Sequence, residues 1–212
     1  MIRVAKFVFS PFQENTYVVH DETKNCLIFD PGCQTVTEQQ TLRDFIEQEG
    51  LTPVRLINTH CHIDHIFGNK FVHDTYGLLP EYHEGEQTVL DQGVTVSKMY
   101  GIPYDPSPNG ENFLKAGETL HFGNHSLELL FTPGHSPASL SFYSEAGKFV
   151  IGGDVLFAGS IGRTDLPGGD FDTLIESIKT QLFPLGDDIT VYSGHGPETT
   201  IGRERVSNPF LT

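Results

Sequence analysis

Three runs near the start of the chain, Ile2–Phe9, Thr16–His20 and Cys26–Phe29, are rich in Val, Ile, Phe and Tyr and are separated by turn residues. They read as strands, and Asp30-Pro31-Gly32 stops the third with a turn. Over Thr37–Glu49 the period changes: Leu42, Phe45 and Ile46 fall at helical spacing and Gly50 lies just past the end. Val54–Asn58 is a short apolar strand. The pattern predicts a helix from near Asp64 towards Tyr76, and mixed helical character over Gly85–Tyr100. A loop rich in Pro, Gly and Asn follows at 101–112. Strands are then predicted at Thr119–Phe122, Ser126–Phe131, Leu140–Tyr143, Lys148–Ile151 and Ile189–Tyr192, with an amphipathic helix at Phe171–Leu182. Strands and helices recur in two successive halves, which implies a layered α/β protein.

Length sharpens this. At roughly one domain per 150 residues, 212 residues give one domain or two small ones. The loop at 101–112 resembles a linker, but a domain starting after it would lack half of the candidate site, so 1–212 is read as a single domain. Apolar residues make up 37%, enough for a core. No stretch approaches the roughly 18 apolar residues of a membrane span. Ser10 and Pro11 break the N-terminal apolar run and no small-residue cleavage site follows, so no signal peptide is expected. The net charge is -15, and no basic surface is visible that would neutralise phosphates or anionic lipid. Neither nucleic acid nor a membrane is expected as a partner. Cys26, Cys33 and Cys61 are odd in number and form no CxxC pair, which fits a reducing cytoplasm.

The chemistry concentrates in Thr59-His60-Cys61-His62-Ile63-Asp64-His65, directly after the strand Val54–Asn58. In an extended loop His60 and His62 project to the same side. Asp64 and His65, at the start of a helix, point elsewhere. One ion cannot use all four groups from so short a loop, whereas two adjacent ions could. Three further segments repeat a pattern of apolar strand, small-residue turn and ligand: Leu127–Phe131 leads to His135, Phe149–Ile151 to Asp154, and Ile189–Tyr192 to His195. Ligands gather at the carboxyl ends of strands in α/β folds. Five His and two Asp suit zinc, manganese or ferrous iron. His20, His73, His83, His121 and His125 lack such context and read as ordinary surface or loop residues. Cys61 should point away from His60 and His62, as a small buried thiol.

THCHIDH, followed in order by TPGH, GGD and SGHG, resembles the metallo-β-lactamase superfamily over nearly the whole chain. Within it the chain is most similar to short, single-domain relatives of glyoxalase II, the hydroxyacylglutathione hydrolases. GRTDLPGGD (Gly162–Asp170) and SGHGPETTIGRERVSNPFL (Ser193–Leu211) carry that narrower likeness. The resemblance implies a four-layer αββα sandwich with a two-metal site at its edge. It implies His60, His62 and His135 on the first metal, Asp64, His65 and His195 on the second, and Asp154 bridging. Asp30 matches the family's DPG turn, where a carboxylate supports the ligand loop; the alternative is an ordinary turn aspartate. The likeness to short members implies that the C-terminal glutathione-binding helical domain of full-length members is not expected here.

That family chemistry is hydrolysis by a hydroxide shared between two ions, with Asp64 orienting it. An anionic small-molecule thioester suits the site, because a thiolate leaves with little protonation. Arg163 is a candidate contact for the substrate's anionic group; its alternative is a salt bridge to a neighbour such as Asp165. Rival activities are persulfide dioxygenation at one iron, lactone hydrolysis, β-lactam hydrolysis and RNA processing. A metal-binding interaction protein is the non-enzymatic rival.

Overall fold

Seven residues, Arg3–Phe9 (β1), pair antiparallel with Glu14–His20 (β2), which is buried along its whole length. β2 pairs antiparallel with Asn25–Phe29 (β3). The chain then crosses over through a helix, Val36–Gln48 (α1), to Thr52–Ile57 (β4), which lies parallel to β3. Thr35 starts α1 with a capping box: its hydroxyl accepts from Glu38 N, and the Glu38 carboxylate accepts from Thr35 N at 2.8 Å. Two-residue Pro80–Glu81 (β5) completes the sheet in the order β1-β2-β3-β4-β5. Val18, Ile28 and Leu56 face Leu42 and Ile46 of α1 and Phe71 and Val72 in one core.

The predicted helix over 64–76 is two helices, Ile63–Ile66 (α2) and Asn69–Tyr76 (α3). The break falls at Gly68, whose N–H donates to Pro31 O at 2.6 Å. A Cβ there would lie 2.4 Å from the Cys33 sulfur, so only glycine lets the chain pass this close to the Asp30-Pro31-Gly32 turn. The mixed segment resolves into a 3₁₀ turn at Glu84–Glu86, then Gln87–Asp91 (α4) and Gly93–Tyr100 (α5).

A six-stranded sheet follows, in the order β13-β12-β9-β8-β7-β6: Thr119–Phe122 (β6), His125–Phe131 (β7), Leu140–Ser144 (β8), Phe149–Gly153 (β9), Thr190–Ser193 (β12) and Thr199–Thr200 (β13). Leu156–Phe157 (β10) and Ser160–Ile161 (β11) form a separate small hairpin. Phe171–Ser177 (α6), capped by Asp170 Oδ1 on Thr173 N, widens into a π-helical turn at Ile178–Leu182. Leu174, Ile178 and Leu182 pack on Val150, Ile189 and Val191. A last helix, Ile201–Ser207 (α7), was not evident in the hydrophobic pattern.

The structure, a computed structural model, describes all of Met1–Thr212 and divides into two compact units. One is Met1–Leu114 with His121–His125; the other is Lys115–Leu120 with Ser126–Thr212. No helix is long and apolar enough to cross a membrane. His20 departs from the sequence reading. It is only 5% exposed, at the end of β2 opposite Arg3, because its strand is inserted between β1 and β3.

Candidate metal centre

In the first unit, strand direction decides which residues meet. β3 and β4 run parallel, so Asp30 just beyond β3 and Thr59 just beyond β4 leave the same edge of the sheet. Asp30 has φ of 45°, a left-handed conformation that aspartate tolerates better than most residues. Its carboxylate accepts from Thr59 N at 2.7 Å and from Thr59 Oγ1 at 2.6 Å, and lies 3.1 Å from His65 Nδ1. His60 and His65 are fully buried. The His60 ring centroid is 4.8 Å from that of His62 and 4.1 Å from that of His65. Asp64 Oδ2 lies 3.9 Å from His65 Nε2.

Hydrogen bonding assigns the tautomers. Thr59 Oγ1 spends its proton on Asp30, so the 3.1 Å contact with His60 Nδ1 requires that Nδ1 donates. The lone pair of His60 is then on Nε2. The carboxylate beside His65 Nδ1 likewise favours a proton there and a lone pair on Nε2. Asp30, His60 and His65 have donor atoms within 4.8 Å of one another, but the Asp30 oxygens are already committed to Thr59 and His65. Asp30 therefore holds the ligand loop.

Two acids that the sequence reading passed over also serve this loop. Glu86 is buried and accepts from Cys61 N at 3.0 Å. Glu14 is buried at the start of β2, with Oε1 4.0 Å from His65 Nδ1 and Oε2 2.9 Å from Thr16 Oγ1. Burial raises the Glu14 pKa well above the ordinary carboxylate value, despite the opposing influence of His65. The signal was available in principle: Glu14 opens a strand whose centre, Tyr17–Val19, is apolar. Cys61 itself turns into an apolar cluster with Ile66, Tyr82 and Leu90, and burial pushes its thiol pKa up.

In the second unit the same logic applies. β9 is parallel to β12, and β7 is antiparallel to β8, which is antiparallel to β9. β7, β9 and β12 therefore share one direction, and His135, Asp154 and His195 follow their carboxyl ends. Asp154 Oδ2 lies 3.4 Å from His135 Nε2 and 3.5 Å from His195 Nε2. His135 Nδ1 is 2.7 Å from Arg163 O, and a carbonyl can only accept, so Nδ1 carries a proton and Nε2 is the ring nitrogen left for a ligand. Asp154 Oδ2 thus faces the Nε2 atoms of both His135 and His195. A divalent ion fits this donor set.

Gly162 is required where the chain passes beneath Asp154: a Cβ there would lie 1.9 Å from Asp154 O. Arg163 turns its guanidinium to Asp165 in a fork, Nε to Oδ1 at 2.7 Å and the second nitrogen to Oδ2 at 2.8 Å.

Two α/β units, with histidines and aspartates delivered from the carboxyl ends of strands, define a metal-dependent class of protein. The sequence profile of the metallo-β-lactamase superfamily matches residues 9–195, and the chain belongs to that superfamily. It has the fold and is built of sheets flanked by helices. Three similarities narrow the comparison. The chain is 38% identical to hydroxyacylglutathione hydrolase GloC of Haemophilus influenzae, over 94% of this chain and 93% of that one. It is 37% identical to the BLEG-1 B3 metallo-β-lactamase, with a TM-score of 0.90 over 100% of both chains. It is 33% identical to TTHA1623, solved in a di-iron-bound form, with a TM-score of 0.89 over 98% of this chain and 100% of that one. The chain is thus a member of a metallo-hydrolase superfamily whose members bind divalent metals.

Proposed function

We propose that this protein is a two-metal thioester hydrolase acting on 2-hydroxyacyl thioesters such as S-lactoylglutathione. In this reading His60, His62 and His135 would hold one ion and Asp64, His65 and His195 the other, with Asp154 contributing its carboxylate to the same centre. Zinc is the leading candidate ion, with iron or manganese as alternatives. The observation that carries the reading is the tautomer pattern. His60 and His135 are tied through Nδ1, His65 has its Nδ1 against Asp30, and the His135 Nε2 faces the Asp154 carboxylate at 3.4 Å. Such anchoring presents imidazole lone pairs to a metal.

When bound, divalent ions lower the pKa of a coordinated water from about 15.7 to about 7 and polarise a substrate carbonyl. The chain's own groups do the rest. Asp64, 13% exposed, would accept a hydrogen bond from the attacking water and orient it. No side chain needs to protonate the leaving group, because a thiol of pKa about 8.5 leaves readily as thiolate. Arg163, which is forked to Asp165, is the candidate contact for an anionic part of the substrate.

The test is anaerobic incubation of the metal-loaded protein with S-lactoylglutathione. Thiol and acid should appear one to one. A parallel incubation with glutathione persulfide in air covers the dioxygenase alternative; oxygen uptake there, with no thioester cleavage, refutes the proposal. The likeness to BLEG-1 favours β-lactam opening as a second reading, since that reaction also adds water to a carbonyl. A chromogenic cephalosporin belongs in the same assay, and turnover of it in place of the thioester would select that reading.

A further inference from the structure

Of the two candidate histidines in the second unit, His195 is the more exposed: its side chain is 29% open, against 3% for His135. Burial alone therefore does not set the direction of its ring. The ring of Phe157 stands against it edge to face, with centroids 6.3 Å apart and planes at 81°. Phe157 lies on β10, and the β10–β11 hairpin has only two residues in each strand. A hairpin that short is not stable by itself. It is held from outside by two side chains of the C-terminal helix, Glu204 of α7 and its C-cap Asn208. Gly159 N donates to Glu204 Oε2 at 2.8 Å, and Ser160 O accepts from Asn208 Nδ2 at 2.9 Å.

Glu204 also reaches the other side of His195. Thr199 on β13 pairs with Val191 of β12, so residues 194–198 form a short return that carries His195 between two paired strands. The Thr199 hydroxyl donates to Glu204 Oε1. Glu204 Oε2 accepts from Asn208 Nδ2 at 2.8 Å, and Asn208 Oδ1 accepts from Phe210 N at 3.1 Å, so the same network fixes the last turn of the chain. Glu204 and Asn208 are fully buried. A buried carboxylate is costly unless donors surround it, and here Gly159, Thr199 and Asn208 supply them. An apolar side chain would fill the same space without joining these three segments. Resting on the assignment of His195 to one of two ions, we infer that Glu204 is a positioning residue for that ligand. It ties the hairpin that carries Phe157 to the strand that leaves His195, and so fixes the imidazole between them. A helix that supplies no ligand thereby sets the affinity of one ion.

Competition for zinc against a chromophoric chelator tests this on the full chain, independently of turnover. Glu204→Ala should weaken one of the two equivalents at least about tenfold, the low end of losses for groups that orient a ligand, and leave the other within about twofold. Glu204→Gln should recover most of that affinity. Its amide oxygen serves Gly159 N and Asn208 Nδ2, and its amide nitrogen donates to the Thr199 hydroxyl, which accepts as well as donates. His195→Ala should weaken the same equivalent, and adding Glu204→Ala to it should weaken that equivalent no further, because the effect travels through the ring. Thermal melts check that each variant is folded. Should Glu204→Ala not fold, Thr199→Val and Phe157→Leu cut the two arms separately, and each should weaken that equivalent. If His195→Ala loses affinity while Glu204→Ala, or both arm variants, bind as the parent does, the positioning role is overturned and the two-ion reading stands. Equal behaviour of alanine and glutamine at position 204, or equal weakening of both equivalents, also overturns it. If His195→Ala binds both equivalents as the parent does, the ligand assignment fails and the inference falls with it.

Discussion

Asp30→Asn is the most informative single change, because it removes a charge and leaves the shape. Asparagine tolerates the left-handed φ of 45° at this position, so the turn should survive. The carboxylate has two oxygens and serves three groups: Thr59 N, Thr59 Oγ1 and His65 Nδ1. The amide has one oxygen. If that oxygen stays on Thr59 N–H, the amide nitrogen faces Thr59 Oγ1 and His65 Nδ1. Nδ1 then keeps its proton against another donor, or gives it up and carries the proton on Nε2. In the second case the atom needed for a metal is blocked. Residue 30 is 2% exposed, so water cannot repair the mismatch.

Hydrogen bonds to a charged group are worth roughly 1.5–3 kcal/mol each, so loss of one of the Thr59 bonds should cost about that much stability. Loss of a carboxylate that orients a ligating histidine lowers metal affinity roughly 10–100-fold. Two measurements separate these effects. Urea unfolding of metal-free protein reads the stability term. Competition for zinc against a chromophoric chelator reads the affinity, and only one of the two equivalents should shift strongly, since His65 is assigned to one ion. A folded Asp30→Asn protein that binds both equivalents within twofold of the parent would refute the tautomer argument.

Titration with metal should saturate at two equivalents, and His195→Ala should lose one; saturation at one, unchanged by His195→Ala, would contradict the two-ion reading. His20 makes stability depend on pH: burial first, and then Arg3, hold its pKa below the ordinary 6.5. The unfolded chain therefore takes up a proton below about pH 6.5 that the folded protein resists, so stability falls as pH drops through that window until the folded pKa is passed. His20→Gln should flatten the change in urea midpoint between about pH 7.5 and 5.5, and parallel curves would count against it. Burial raises the Cys26 thiol to about 12 and also pushes Cys33 and Cys61 up, so iodoacetamide should label none of the three before unfolding. Mass spectrometry of native protein checks this, and rapid labelling would show the thiols to be accessible.

The ligand-bearing residues were legible because metal chemistry writes itself locally. His60, His62, Asp64 and His65 lie within six residues, and His135, Asp154 and His195 each follow an apolar strand and a glycine turn. Helix ends marked by glycine were equally visible, as with Gly50 after α1. What stayed hidden is set by contacts distant in sequence. The break at Gly68 depends on the Cys33 sulfur and Pro31 O, more than thirty residues earlier. The burial of His20 depends on β2 being paired on both sides. The short α7 escaped notice because its pattern is polar, yet its Glu204 is one of the buried groups that anchor Phe210.

The same asymmetry explains the acids around the ligand loop. A ligand must be histidine or a carboxylate in a recognisable spacing, but a group that holds the loop needs only to arrive from somewhere. Here Asp30 comes from the end of β3 and Glu86 from the 3₁₀ turn before α4, each meeting a different backbone N–H of the Thr59–Cys61 segment. Between those anchors the loop has no regular secondary structure of its own. Its geometry is therefore held by buried carboxylates that are not among the proposed ligands, and a loop held in this way costs less to order around an ion. Replacing Glu86 with alanine should then weaken metal binding through the backbone alone, although Glu86 is not among the proposed ligands. Glu86→Gln, which keeps an acceptor for Cys61 N, should restore most of the affinity in the same chelator competition. If alanine and glutamine behave alike, the anchoring argument fails at this position.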